Sequence, residues 1–427
     1  MSRTSCALLG VAGMLVLGTA LVHAGPQAPA AGAVPVAVSS ANAPGALPGA
    51  PTIFIDRPSR RHGAAAPGSA SASALRLANP DFNGDGKADL FFRNSATGEL
   101  GIWLMNGSQV LSAAIVGAPS TAWEIQAPGD FAGNGKMGFL WRNSVTHEVA
   151  IWLMDGIQVT AEVNFGIVPA DWQIYGLGDF NGDGKADILW RNQTTGDVAI
   201  WLMNGTTISS GVVVANVPLD WKISGVGDYD GDGKTDILWR NQTTSDLAIW
   251  LMNGTSVVSG GSLGNPGPSW HVIGGGDFNG DGKADILWQN NNGQAAVWLM
   301  NGLNLISGSN VGTSPGAAWQ VQAAGDFNGD GKADILWQNT NGQVAIWETD
   351  GQTVLVGNNV GFNPGPAWQV HGAADFNGDG KADIEWQNTD GTPAVWLMDG
   401  FNIVSGANVA FDPGAAWHLT PGHDVLA

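Results

Sequence analysis

An all-β fold, a seven-bladed β-propeller of four-stranded antiparallel blades with calcium loops, is what this sequence predicts, and three observations predict it. The first is a 49-residue period, marked by aspartates at 81, 130, 179, 228, 277, 326 and 375. A fixed period of this length is the mark of a repeat architecture. The second is an Asn-Gly or Asp-Gly pair between apolar runs in every repeat, at 106, 155, 204, 253, 301, 350 and 399, the strongest short-range hairpin signal. The third is apolar strands such as Val198-Ala-Ile-Trp-Leu-Met203, which carry large side chains on both faces and must be covered on both. Sheets arranged face to face around an axis cover them. Helical periodicity is absent.

Each repeat supplies four strand-like pieces. In the third, Trp172 to Gly178 leads into Asp179-Phe-Asn-Gly-Asp-Gly-Lys-Ala-Asp187, and Ile188 to Asn192 follows. After the turn Gln193-Thr-Thr-Gly196 come 198–203 and 207–214. The first strand ends in small residues in every repeat, such as Gly225-Val-Gly227, Gly274-Gly-Gly276 and Ala323-Ala-Gly325. That bulk profile suits an innermost strand where blades converge on the axis.

The loop carries the chemistry. Oxygen-bearing side chains stand at its positions 1, 3, 5 and 9 and glycines at 4 and 6, so alternate residues can aim at one centre while glycine turns the backbone. Three carboxylates and an amide converging there need a hard cation, and calcium accepts that set with a backbone carbonyl and water. The predicted ligands are Asp81, Asn83, Asp85 and Asp89; Asp179, Asn181, Asp183 and Asp187; and Asp228, Asp230, Asp232 and Asp236. The last three loops add Asp277, Asn279, Asp281 and Asp285; Asp326, Asn328, Asp330 and Asp334; and Asp375, Asn377, Asp379 and Asp383. The loop starting at Asp130 has Ala132, Asn134 and Gly138 at positions 3, 5 and 9 and is expected to fold as a turn without metal. An EF-hand is excluded, since its glutamate at position 12 is replaced by Phe92, Trp190 and their equivalents, and strands flank the loop.

The formal charge of −20 follows from the loops. Nineteen of the 37 acidic residues are predicted ligands, and six calcium ions would bring −20 to −8. A chain this acidic lacks the basic footprint nucleic acid needs. At the N-terminus, Arg3, an apolar run from Cys6 to Val22 and the site Val22-His23-Ala24 read as a signal peptide over 1–24. Export follows, to the periplasm, the cell surface or the medium, with no membrane insertion after cleavage and no cysteine in the mature chain. Residues 25–72, rich in Ala, Pro, Gly and Ser with Arg57, Arg60 and Arg61, read as a flexible spacer before a propeller domain over 73–427.

The twenty tryptophans form three sets. One follows the loop, one lies on the next strand from Trp103 to Trp396, and one precedes the innermost strand at Trp123, Trp172, Trp221, Trp270, Trp319, Trp368 and Trp417. Blade-to-blade packing accounts for the first two sets. The third follows Pro/Gly-rich loops near a blade edge and is the candidate ligand-stacking set. The first repeat has no such Trp, whereas Trp417 to Asp424 sits one period after the seventh, so the C-terminus is expected to supply or share the first blade's innermost strand.

The repeated Asp-Phe-Asn-Gly-Asp-Gly-Lys-Ala-Asp after a Gly/Ala-rich strand resembles the FG-GAP (VCBS-type) repeats of bacterial secreted proteins. The same loop occurs in integrin α-chain propellers and some fungal sugar-binding lectins. The resemblance covers 81–424 and implies calcium at loop positions 1, 3, 5 and 9, a seven-bladed propeller and a binding role, without naming a ligand. The expected function is that of a secreted, monomeric binding or adhesion module for glycans or extracellular proteins. A purely structural, calcium-stiffened surface protein is the alternative. An enzyme such as a polysaccharide lyase or hydrolase is disfavoured, because the seven histidines have no partner spacing, no nucleophile motif appears and most acidic residues are committed to the loops. Glu348 and Glu385 break the repeat.

Overall fold

In a computed structural model, which describes residues 80–409 and 413–419, the chain forms seven four-stranded antiparallel sheets, six of them running from an innermost to an outermost strand in chain order and one taking its innermost strand from the C-terminal side. The predicted signal peptide, the spacer, Ala74–Ala78 and Asp424 lie outside the described residues. Blade 3 is typical: Trp172–Gly178 innermost, then Asp187–Asn192, Asp197–Asn204 and Thr207–Asn216 outermost. The innermost strands of blades 2 and 4 to 7 are Trp123–Gly129, Trp221–Gly227, Trp270–Gly276, Trp319–Gly325 and Trp368–Ala374. The hairpin glycines all adopt the left-handed conformation the Asn-Gly and Asp-Gly pairs predict, with φ between 59° and 62°.

The ring closes as the sequence suggests. Trp417–Leu419 pairs antiparallel with Leu90–Asn94 of blade 1, with Phe92 opposite Leu419 and Asn94 opposite Trp417. At the other end of this strand position, the carbonyl of Pro80 accepts a hydrogen bond from Asp89 N at 2.9 Å. The innermost strand of blade 1 among the described residues is therefore Trp417–Leu419, with Pro80 bonded at the loop end. Gln387 of blade 7 clamps it, donating from Nε2 to Trp417 O and accepting at Oε1 from Leu419 N, both at 3.0 Å.

The same clamp recurs at other junctions. Gln289 and Gln338 donate to Trp319 O and Trp368 O and accept from Val321 N and Val370 N. In the first four blades the position is Arg93, Arg142, Arg191 or Arg240, whose guanidinium lies 5.1–5.7 Å from the ring centre of the next blade's tryptophan. Burial lowers the Arg93 pKa to about 10, and the indole face offers the cation a partner.

Apolar side chains from two neighbouring blades fill each junction. Phe180, Leu189 and Val198 of blade 3, for example, pack with Ile223, Ile237 and Trp239 of blade 4. The tryptophans after the loops, Trp141 to Trp386, are at most 1 % exposed. Each pairs with the tryptophan of its blade's third strand at ring distances of 4.7–5.1 Å, the packing role expected of both sets. The small residues of the innermost strands are required. A Cβ on Gly178 would lie 2.5 Å from Thr235 of the next blade, and one on Gly276 would lie 2.7 Å from Ala333.

Candidate metal loops and the propeller axis

In each loop the first aspartate organises the backbone. Asp81 accepts at Oδ1 from Gly84 N at 2.6 Å and at Oδ2 from Gly86 N at 2.7 Å. Asp179, Asp228, Asp277, Asp326 and Asp375 repeat the pattern. Asn83 then accepts from Asp85 N, and Asp85 from Lys87 N. These turns point successive side chains to one side, and Gly84 and Gly86, at φ 77° and 83°, provide the reversals.

The ninth residue is the buried one. Asp89, Asp187, Asp236, Asp285, Asp334 and Asp383 are at most 1 % exposed. Asp89 accepts from Phe82 N at Oδ2 and Met105 N at Oδ1, tying the loop to the third strand. Asp187 and Asp236 do the same with Phe180 and Met203, and with Tyr229 and Met252. Burial pushes the Asp89, Asp187, Asp285, Asp334 and Asp383 carboxyls up to about 7 and Asp236 up to about 8. Each oxygen keeps a lone pair beyond its amide bond, so a cation could be held while those bonds persist. The donor set fits a hard divalent ion, most clearly in the fourth loop. There Asp228, Asp230 and Asp236 bring carboxylate oxygens within 4.8 Å of one another, because aspartate replaces asparagine at position 3.

The loops also join the blades to one another, which the sequence does not reveal. The carbonyl of each first aspartate accepts from the eighth residue of the next loop: Met137 to Asp81, Ala186 to Asp130, Thr235 to Asp179, and so on to Ala88 on Asp375, at 2.7–2.8 Å. The carbonyl at position 2 accepts from the next blade's hairpin glycine, from Gly156 on Phe82 to Gly107 on Phe376. Both series run unbroken through all seven junctions.

The second loop keeps the backbone without the ligands, since Asp130 accepts from Gly133 N and Gly135 N at 2.7 Å. The sequence alone suggests that Ala132→Asn, Asn134→Asp and Gly138→Asp would together restore a site. The structure adds a steric cost to this. A Cβ at Gly138 would lie 2.4 Å from the Trp152 carbonyl oxygen, so the strand must shift to admit any side chain. Overpacking of this kind costs about 1–3 kcal/mol. The triple variant is expected to melt lower than the parent in EDTA and to titrate with no additional calcium site; an added site at unchanged stability would contradict the contact.

The candidate stacking tryptophans sit at blade junctions, at the end of the innermost strands away from the loops. Trp123, Trp172, Trp270, Trp319, Trp368 and Trp417 are half-buried against junction clusters, and Trp221 is 8 % exposed within one. Glu348 fits beneath the next hairpin, its carboxylate accepting from Phe401 N where other blades place leucine. Glu385 is half-buried at another leucine position, and burial pushes its carboxyl up to about 8.

Sequence reasoning missed the residues around the axis. Innermost strands of neighbouring blades approach within 8 Å, Cα to Cα, so these strands surround the axis and their exposed residues lie around it. One such position lies six residues before each loop, beside the junction tryptophan. Gln173, Gln320 and Gln369 occupy it in three blades, and His271 and His418 in two others, all exposed. Glu124, exposed, and Lys222, half-buried, complete the ring. Two residues further along, at the irregularity in strand pairing, stand Gln126, Tyr175, Gln322 and His371, half-buried. The available signal was variation between repeats, since the flanking Trp and Ile/Val hardly change.

With the geometry described, comparison with known proteins is informative. Residues 81–141, 179–239, 228–288, 277–337 and 326–386 match the FG-GAP-like repeat. The chain belongs to the FG-GAP-like repeat family. Each matched stretch of this FG-GAP-like protein runs from one loop to the strand after the next, and none starts at the ligand-poor loop of Asp130. No curated protein matches the chain. Among solved structures, a Photorhabdus luminescens Tc holotoxin pore is similar at a TM-score of 0.45 and 14 % identity over 74 % of this chain, which spans 16 % of that one. A BBS1N chain from a complex with ARL6DN gives 0.45 and 12 % over 77 % of this chain and 96 % of the other. The dihydro-heme d1 dehydrogenase NirN gives 0.44 and 12 % over 83 % and 81 %.

Proposed function

We propose that this FG-GAP-like propeller is an exported, calcium-stiffened, monomeric binding module for a glycan or an extracellular protein, with no catalytic role. The observation that supports it best is the gathering of Asp228, Asp230 and Asp236 in a loop whose pattern recurs in five others. An ionised carboxylate buried as deeply as Asp187 needs a cation nearby, and calcium would supply charge neutralisation there. The first and ninth aspartates would hold the ion from either end of each loop, with the residues at positions 3 and 5 between them. No reacting group is required by this arrangement. Its product is a rigid ring presenting side chains on two faces and along an axis. A calcium titration of the mature protein, followed calorimetrically, should count six sites. Substituting Asp187→Asn should remove one of them, and a titration with no heat and no shift in melting temperature would refute the calcium reading.

A further inference from the structure

We propose that the mouth of the propeller axis opposite the metal loops is a saccharide-binding site, formed by the variable polar residues six and four positions before each loop; the inference rests on the binding-module reading above and gives that module its ligand class and place. Two independent observations carry it. The first is geometry: the exposed side chains of the innermost strands are almost all polar, and Ile273 is the one apolar residue among them. The second is variation within a nearly invariant repeat. The chain's one lysine outside the metal loops, one of its two tyrosines and three of its seven histidines, Lys222, Tyr175, His271, His371 and His418, fall on these two positions. Packing does not require them, because the neighbouring core positions stay Trp and Ile, Val or Leu.

Several are already held in place. Gln173 Nε2 donates to Ala170 O at 2.7 Å, Gln320 Nε2 to Ala317 O at 3.1 Å and Gln369 Nε2 to Pro366 O at 2.9 Å. Each amide is thus folded onto the turn that precedes its strand, with Oε1 left as an acceptor. His271 Nε2 is paired with Asn291 Oδ1 at 2.7 Å, and Tyr175 Oη accepts from Gln193 Nε2 at 2.9 Å. Glu124 and Lys222 carry opposite charges and have no ion-pair partner among the described residues. The charges at these two positions therefore cancel, in a protein of net charge −20.

That composition selects the ligand. Amides and imidazoles both donate and accept, as vicinal hydroxyls do, whereas an ionic ligand would need charge of one sign. An extended peptide would need apolar pockets for alternate side chains, and Ile273 alone does not make them. Five residues of strand, about 16 Å, separate this ring from the loops, so substitutions here should leave metal binding intact.

The test uses the calcium-loaded mature protein on a printed array of neutral mono- to hexasaccharides, beside the variant Gln320→Ala/Gln369→Ala and the variant Val404→Ala, exposed on an outermost strand. Losing two neutral hydrogen bonds should weaken the best array ligand by about tenfold. That loss in the glutamine variant, with calcium stoichiometry and melting temperature unchanged and with Val404→Ala binding as the parent does, is the expected result. Hits retained in the glutamine variant would overturn the axial site while leaving the module a saccharide binder elsewhere. A blank array with six calcium sites still titrating would overturn the saccharide class. A peptide array bound by the parent and lost in the glutamine variant would replace saccharide with peptide at the same mouth.

Discussion

Chelating calcium should lower the melting temperature by on the order of 10–20 °C. An ion that binds only the folded form stabilises by RT ln(1 + [Ca]/Kd) at each site. With Kd on the order of 10⁻⁴–10⁻³ M, the range of extracellular modules, and ~10 mM calcium, that is about 1.4–2.7 kcal/mol per site and about 8–16 kcal/mol for six. Unfolding entropy of about 2.1 cal/mol/K per residue, over the ordered part of the chain, converts this to the stated shift. The loops lie between blades, since Asp81 O is bound by Met137 N of the next loop and Asp375 O by Ala88 N across the closure. Losing the ions should therefore loosen the whole ring in one transition. Scanning calorimetry in ~10 mM calcium and in EDTA decides it, and coincident transitions would exclude a structural role for the metal.

Removing residues 415–427 should be comparably damaging. The deletion takes away Trp417–Leu419, uncovers Phe92 and leaves Gln387 Oε1 without Leu419 N, while Nε2 loses Trp417 O and keeps Gly391 O. Burying Leu419 and Trp417 is worth about 2–3 kcal/mol each, and the unpaired Gln387 oxygen adds about 1–3 kcal/mol. The sum, about 5–9 kcal/mol, corresponds to roughly 7–13 °C at the same entropy per residue. The point variant Leu419→Ala, expected to cost about 2–5 kcal/mol, keeps the idea testable if the deletion variant does not fold. A deletion variant that melts with the parent would show that blade 1 does not depend on the C-terminal strand.

Much of the fold was legible because the period is covalent. Aspartates 49 residues apart, Asn-Gly and Asp-Gly pairs and small innermost strands state the number of blades, their hairpins and the direction of taper without any contact being known. The candidate metal loops could be proposed for the same reason, since oxygen-bearing side chains at positions 1, 3, 5 and 9 lie within one short segment, where spacing is geometry. Closure was partly legible, as an extra Trp417 one period beyond the seventh repeat. That Trp417–Leu419 pairs with Leu90–Asn94 required the register.

What only the tertiary structure decided involves residues distant in sequence. The bonds from each loop to the next blade join backbone groups 56 residues apart, such as Met137 N and Asp81 O, and carry no side-chain signature. The obstacle to a ligand at Gly138 is the Trp152 carbonyl, again a backbone atom. Histidines at 271, 371 and 418 look scattered along the chain because their common place, around one axis, exists only once seven innermost strands converge. A sequence determines what lies within one repeat; the closed ring determines which repeats' exceptions meet.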